Sequence, residues 1–404
     1  MKAQGSLEYL ILIAAVLIVA GVTILFVTGS AGAGKSSIMY SSCQEAALQC
    51  KLLKAANPNN PCSVCDTQCR DPTTGEEIFE GAIGCCTRGI SSMIYEGSEG
   101  CFDIDLSSFS IIALGNFHSC GVNASGTFCW GDNGYGQLGN GSTGGSSDVP
   151  VLVPGIGVAS KLSLGEGHSC AVNNIGTFCW GWNGNGQLGN DNGDSNVPVF
   201  VPGIGAVSEL ALGGRHSCAK NETGTYCWGS NGAGQLGNGT TGGESASPVL
   251  VSGIGNVSKL SSNTQYSCAV NETGTYCWGR NYYGQLGDGT DINKNSPVQV
   301  IGIGSASELS TGITHACAAD SSGTFCWGNN SNGQLGDGTN TNSSVPVQVI
   351  GIGSASELAL GFRHSCAVTD DGSFCWGWNN YGQLGIDSTG GSYNTPQLVY
   401  GTGV

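Results

Sequence analysis

Six times between residues 110 and 400 a Trp-Gly pair is followed by Gly-Gln-Leu-Gly. The pairs are Trp130-Gly131, Trp180-Gly181, Trp228-Gly229, Trp278-Gly279, Trp327-Gly328 and Trp376-Gly377, and the tetrapeptides lie at 136–139, 186–189, 234–237, 284–287, 333–336 and 382–385. The period is 48 to 50 residues. One unit runs Ala159 to Gly165, then His168 to Val172, then Gly176 to Gly181, then Gly186 to Gly189, then Val197 to Val201, which gives four short β-type runs bounded by Gly and Asn. Four strands at this period make a propeller blade, because one unit cannot bury its faces alone and stacking its copies does. The expected fold is mainly β: a six-bladed β-propeller over 105–404, preceded by an N-terminal hydrophobic α-helix and a small cysteine-rich stalk. The first unit has no Pro-Val run before it, and Pro396 to Tyr400 supplies one at the far end, so the C-terminal strand is expected to close the ring against the first blade.

Each unit holds two cysteines nine apart: Cys120 and Cys129, Cys170 and Cys179, Cys218 and Cys227, Cys268 and Cys277, Cys317 and Cys326, Cys366 and Cys375. If Asn123 to Gly126 is a four-residue hairpin loop, Val122 faces Thr127 and Cys120 faces Cys129 within disulfide reach. A bond closing so short a loop contributes about 2 to 3 kcal/mol. Metal is the alternative, but two thiols per unit lack further ligands. A histidine recurs at His118, His168, His216, His315 and His364, with Tyr266 in its place in the fourth unit. A repeated position is a packing position, and no Ser/His/Asp set or carboxylate pair stands apart from the repeats, so neither an enzyme, a cofactor nor a metal site is expected. Propeller ligand sites lie on loops, and the variable stretches are 140–148, 190–196, 238–247, 288–296, 337–344 and 386–395.

The Trp-Gly and Gly-Gln-Leu-Gly core resembles the regulator-of-chromosome-condensation repeat family over nearly three hundred residues. Members of that family are often seven-bladed, whereas six units are counted here. The family's nuclear role, nucleotide exchange on a small GTPase at chromatin, is not carried over. With 13 Lys and Arg against 29 acids and a net charge of -16, the chain cannot build a wide phosphate-binding face, so nucleic acid is not an expected partner.

The N-terminus points outside the cell. Tyr9 to Val27 is a 19-residue run without a charge; at ~1.5 Å per residue it reaches ~28 Å, enough to cross a bilayer core. Glu8 beside it costs roughly 2.5 to 3.5 kcal/mol at bilayer centre unless it is paired or near the interface, where it lies. Residues Gln4 to Leu10 resemble the class III signal peptide of archaeal type IV pilin-like proteins. That resemblance implies cleavage by a class III signal peptidase between Ala3 and Gln4. It also gives Glu8, fifth in the mature chain, a role in pairing with a neighbouring subunit's amine. The expected organisation is a leader over 1–3, a membrane and filament-core helix over 4–28, a Gly-rich hinge over 29–37, a Cys-rich stalk over 38–104 and the propeller over 105–404.

Gly29 to Ser36 fits the phosphate-loop pattern GxxxxGK[ST]. It follows a membrane helix, not a buried strand, and reads as a flexible joint. Residues Ile38 to Ala56 read as a short amphipathic helix ending at Asn57-Pro58. Cys43 and Cys50 sit on one face of it, too far apart to bond, and each is expected to join another segment. Cys62, Cys65, Cys69, Cys85, Cys86 and Cys101 are the candidates; zinc remains an alternative for Cys62, Cys65 and Cys69, although no His accompanies them. Twenty cysteines suit an oxidising compartment. Asn-x-Ser/Thr tripeptides begin at Asn123, Asn140, Asn221, Asn238, Asn256, Asn271, Asn329 and Asn342 and are candidate glycan acceptors.

Together these features lead to an expected cell-surface subunit: a membrane-anchored precursor that assembles with copies of itself, through the pilus assembly machinery, into a helical filament. The propeller would be displayed outward for adhesion or protection, with a surface glycan or protein as ligand. A monomeric membrane-anchored adhesin or receptor is the alternative.

Overall fold

The computed structural model describes residues 109–400. The leader, the 4–28 helix, the 29–37 hinge and the 38–104 stalk lie outside the described residues, and with them Ala3, Gln4, Glu8 and all eight stalk cysteines. The repeat array forms six four-stranded antiparallel sheets, each from four strands consecutive in the chain. The first sheet is β1 (Ile111–Leu114), β2 (His118–Asn123), β3 (Gly126–Asp132) and β4 (Ser146–Leu152), in that order. The other five span 161–200, 209–250, 257–299, 308–348 and 357–398 and repeat its order. This is a six-bladed β-propeller.

The register explains the recurring residues. Val122 opposes Thr127 and Cys120 opposes Cys129, and the ladder runs one pair further, to Asn123 opposite Gly126. The turn is therefore the two residues Ala124 and Ser125, tighter than a four-residue loop. The paired cysteines are bonded within every blade, their Cα atoms 4.0–4.1 Å apart. In every blade the pairing of the third strand with the fourth shifts register between the second cysteine and the glycine after Trp, as between Cys129 and Gly131. A bulge at this point re-aims the side chain it carries. The indoles of Trp180, Trp228, Trp278, Trp327 and Trp376 are thereby turned fully into the neighbouring blade, all at 0% exposure. The last Gly of Gly-Gln-Leu-Gly receives them: Gly139, at φ +66°, has the Trp180 indole where a Cβ would stand. Any side chain there would displace it.

Between sheets, the cysteine-bearing face of one blade packs on the Ala and Trp face of the next. Cys120, Val122, Leu138 and Ile156 of the first blade, for example, meet Ala171 and Trp180 of the second. Five such cores join consecutive blades. Among the described residues none joins the sixth blade to the first. The C-terminal strand does not close the ring either: β24 (Ser392–Leu398) pairs with β23 (Gly372–Trp378) of its own sheet, Gln397 opposite Cys375. The Pro-Val run follows Trp-Gly within its own unit, as Pro150-Val151 does in β4, so no strand is left over to exchange. At this seam Trp130 is only partly buried, and Phe109 stacks on it with ring centroids 5.6 Å apart.

Candidate functional site

Four of the five repeated histidines are packing groups that link blades. His118, His168, His216 and His315 each place Nε2 2.8–2.9 Å from the hydroxyl of Ser169, Ser217, Ser267 and Ser365 of the following blade. Ser169, Ser217 and Ser365 donate in turn to the main-chain oxygens of Gln137, Gln187 and Gln334, each at 2.9 Å. A serine hydroxyl has one hydrogen, so His118, His168 and His315 must donate from Nε2, which leaves Nδ1 as a bare acceptor. Nδ1 of all four ring-buried histidines has no partner. Burial lowers His118 to about 4 and His168, His216 and His315 to about 3, because a charged ring would have neither water nor an acceptor. The same Gln oxygens accept the Trp indoles: Trp180, Trp228, Trp278, Trp327 and Trp376 donate at 2.9 Å to Gln137, Gln187, Gln235, Gln285 and Gln334.

The fourth blade departs consistently. Tyr266 places its hydroxyl 2.8 and 2.5 Å from the main-chain oxygens of Gly312 and His315, which share its one hydrogen. It needs no serine, and the next blade carries Ala316 at the serine position. The glycine that lies over each histidine ring, where a Cβ at Gly213 would stand 2.2 Å from His216 Cε1, is Asn263 in the fourth unit. Three substitutions thus travel together.

The surface chemistry gathers at one end of the propeller. Because His118 opposes Gly131, the turn between first and second strands and the connection after the third emerge side by side. There Phe117, Tyr135, Tyr282, Tyr283, Phe362 and Tyr381 are all exposed. All three arginines of the described residues stand among them, each over a ring: Arg215 on Trp182 at 5.2 Å, Arg280 on Tyr282 at 4.7 Å, Arg363 on Phe362 at 4.7 Å. Arg280 also donates to Gln265 at 2.5 Å, and Arg215 lies 4.0 Å from Glu166. The turns surround the mouth of a cavity of about 890 Å³ that the innermost strands of all six blades line, from Leu114 to Leu360. Sequence reasoning missed this group; the signal was that Arg215 and Arg363 directly precede the repeated histidine and Arg280 directly follows Trp-Gly.

The variable stretches leave the same end, farther out, and are tied down. Asn196 donates to the Gly141 oxygen at 3.0 Å, Asn295 to Gly239 at 3.0 Å and Asn394 to Gly338 at 2.8 Å, clipping three of the six loops to the next blade. A repeated asparagine braces the loop from inside: Asn133 Oδ1 accepts from Leu138 N at 3.1 Å while its Nδ2 donates to the Ser142 oxygen. The Asn-x-Ser/Thr sites divide by position. Asn221 and Asn271, at hairpin ends, donate Nδ2 to the oxygens of Ile204 and Ile254, and Asn123 holds the equivalent, buried place. Asn256 and Asn342 are exposed, and Asn140, Asn238 and Asn329 partly so. Among the described residues no group of three or more His, Cys, Asp or Glu could hold a metal ion.

Comparison with protein-family models matches the Regulator of chromosome condensation (RCC1) repeat at residues 126–172, 176–219, 224–270, 274–319, 323–368 and 370–403, and a second model of this repeat at 109–137 and 356–383. A class III signal peptide model matches residues 2–27. No curated protein matches the chain. Among solved structures, human WBSCR16 is similar with TM-score 0.64 and 25% identity, over 74% of this chain and 84% of that one. Yeast RCC1 (Prp20), in a structure with Kap60, has TM-score 0.63 and 19% identity over 73% and 75% of the two chains. Prp20p from Saccharomyces cerevisiae gives 0.62 and 20% over 73% and 77%.

Proposed function

The chain belongs to the regulator of chromosome condensation repeat family, and from that premise, together with its class III signal peptide, we propose that it is a subunit of an archaeal type IV pilus-like surface filament whose propeller is displayed outward. The observation that carries this reading is the class III signal peptide over residues 2–27 on a chain whose every blade is closed by a disulfide. Such a signal implies a prepilin peptidase and pilin-type processing. Disulfides of this density belong to an oxidising exterior. The apolar run 9–27 would survive cleavage before Gln4 and pack with its copies into a filament core, and Glu8 would pair with a neighbour's terminal amine. The chain carries no enzyme activity in this reading, four of its five histidines being buried between blades.

Electron microscopy of purified surface filaments and N-terminal sequencing test it together. Filaments whose subunit begins at Gln4 support the proposal. An intact Met1, or a mature protein found only as single membrane-anchored particles, replaces it with the anchored adhesin.

A further inference from the structure

The mouth of the propeller contains a row of flat groups contributed by three consecutive blades. Tyr135 of the first blade lies 5.7 Å from Trp182 of the second, centroid to centroid, and Arg215 of the third lies 5.2 Å over the same indole. Glu166, on the turn beside it, faces the Arg215 guanidinium at 4.0 Å. Tyr135 is exposed, Trp182 partly so, and the Arg215 and Glu166 side chains keep 54% and 38% of their accessibility, so both members of the charged pair remain open to a ligand.

We propose that Tyr135, Trp182, Arg215 and Glu166 form a binding platform for an uncharged polysaccharide. The inference rests on the outward display of the propeller. The C–H face of a pyranose ring matches an aromatic platform, and a guanidinium beside a carboxylate offers donors and an acceptor to sugar hydroxyls. The pair's charges cancel locally, and the chain as a whole carries -16, which opposes nucleic acid and acidic polymers. A single-strand nucleic-acid groove combines such rings with a track of positive charge, and here the one arginine of the row is already matched by Glu166.

The full-length protein, purified from cells, is run in native gels containing neutral polysaccharides (β-glucan, mannan, galactan), with alginate and single-stranded DNA as polyanion arms. The platform predicts retardation by at least one neutral polymer, weakened about tenfold in Trp182→Ala and in Glu166→Gln, and unchanged in Ile175→Ala, an exposed residue on the hairpin at the opposite end of the second blade. Glu166→Gln removes a partly exposed carboxylate and keeps the shape, so it decides the question even where Trp182→Ala shifts the melting temperature. Retardation by no neutral polymer, retardation by the polyanions alone, or neutral-polymer binding that Glu166→Gln leaves intact would each overturn the platform. Filament formation, scored on the same variants by microscopy, is independent: filaments without sugar binding reject the platform alone, and sugar binding without filaments rejects the filament alone.

Discussion

The indole N–H of Trp228 donates at 2.9 Å to the main-chain oxygen of Gln187, a residue of the preceding blade, and Ser217 donates to the same oxygen. One carbonyl therefore anchors two side chains of its neighbour, and that neighbour's serine in turn receives His168. Buried polar chains of this kind are costly to break because each member loses a partner that water cannot replace. Trp228→Phe keeps most of the ring and removes the donor, so it should lower unfolding free energy by about 1–3 kcal/mol. Trp130→Phe, at the seam, should cost less, since Trp130 is only partly buried and stacks on Phe109. Urea unfolding of the two variants side by side checks the contrast, and equal losses would contradict it.

Acid should loosen the propeller through its histidines. An unfolded histidine takes up a proton near pH 6.5, whereas His118 in the fold waits until about 4 and His168, His216 and His315 until about 3. Between these values the unfolded chain binds more protons than the folded one. Their contribution is therefore complete above pH 6.5 and is lost as pH falls toward 4. With four such groups the slope approaches about 5 kcal/mol per pH unit at its steepest. Melting temperature measured from pH 7.5 to 4 should fall, and a His168→Gln variant should fall less steeply; a flat profile would sink the argument.

The fourth blade offers an exchange experiment. Tyr266→His alone should destabilise by about 1–3 kcal/mol, because the new ring would find no serine at Ala316 and would meet the Asn263 side chain where other blades have glycine. Adding Ala316→Ser and Asn263→Gly should restore more than half of the loss. Strictly additive effects of the three changes would mean that the positions are not coupled.

Glycopeptide mapping should distinguish the two groups of Asn-x-Ser/Thr sites. The Nδ2 that a glycan would occupy is already bonded to the neighbouring loop in Asn221 and Asn271, whereas Asn256 is exposed and its side chain stands clear. Occupancy is expected at Asn256, Asn342 and Asn140 and not at Asn221 or Asn271. Glycans on the hairpin asparagines would show that modification precedes folding.

Much of this architecture was legible because a repeat reports its own structure. The nine-residue cysteine spacing is hairpin arithmetic, and Cys120 opposite Cys129 follows from it once the turn is placed. The bulge at Trp130 could not be read that way, since β3 and β4 are joined by a long irregular connection whose length does not fix how the two strands pair. Ring closure was misread for a related reason: where a repeat begins is arbitrary in sequence, and only the pairing of Gln397 with Cys375 shows that the last Pro-containing strand belongs to the sixth blade. The arginine and aromatic mouth sat in positions that vary from unit to unit, and its row of Tyr135, Trp182 and Arg215 comes together only through packing of successive blades.

The continuity of each sheet in the chain bears on how such a protein can be made. A propeller sealed by a strand borrowed from the other terminus must wait for synthesis to finish before its ring is secure. Here each sheet has all four strands, and its own disulfide, as soon as one unit has emerged from the secretion channel. The blades can therefore form one after another in the order of translocation, each docking on the one before. A cysteine finds its partner nine residues away before any thiol of a later blade arrives, which limits mispairing between blades while the chain is still threading across the membrane.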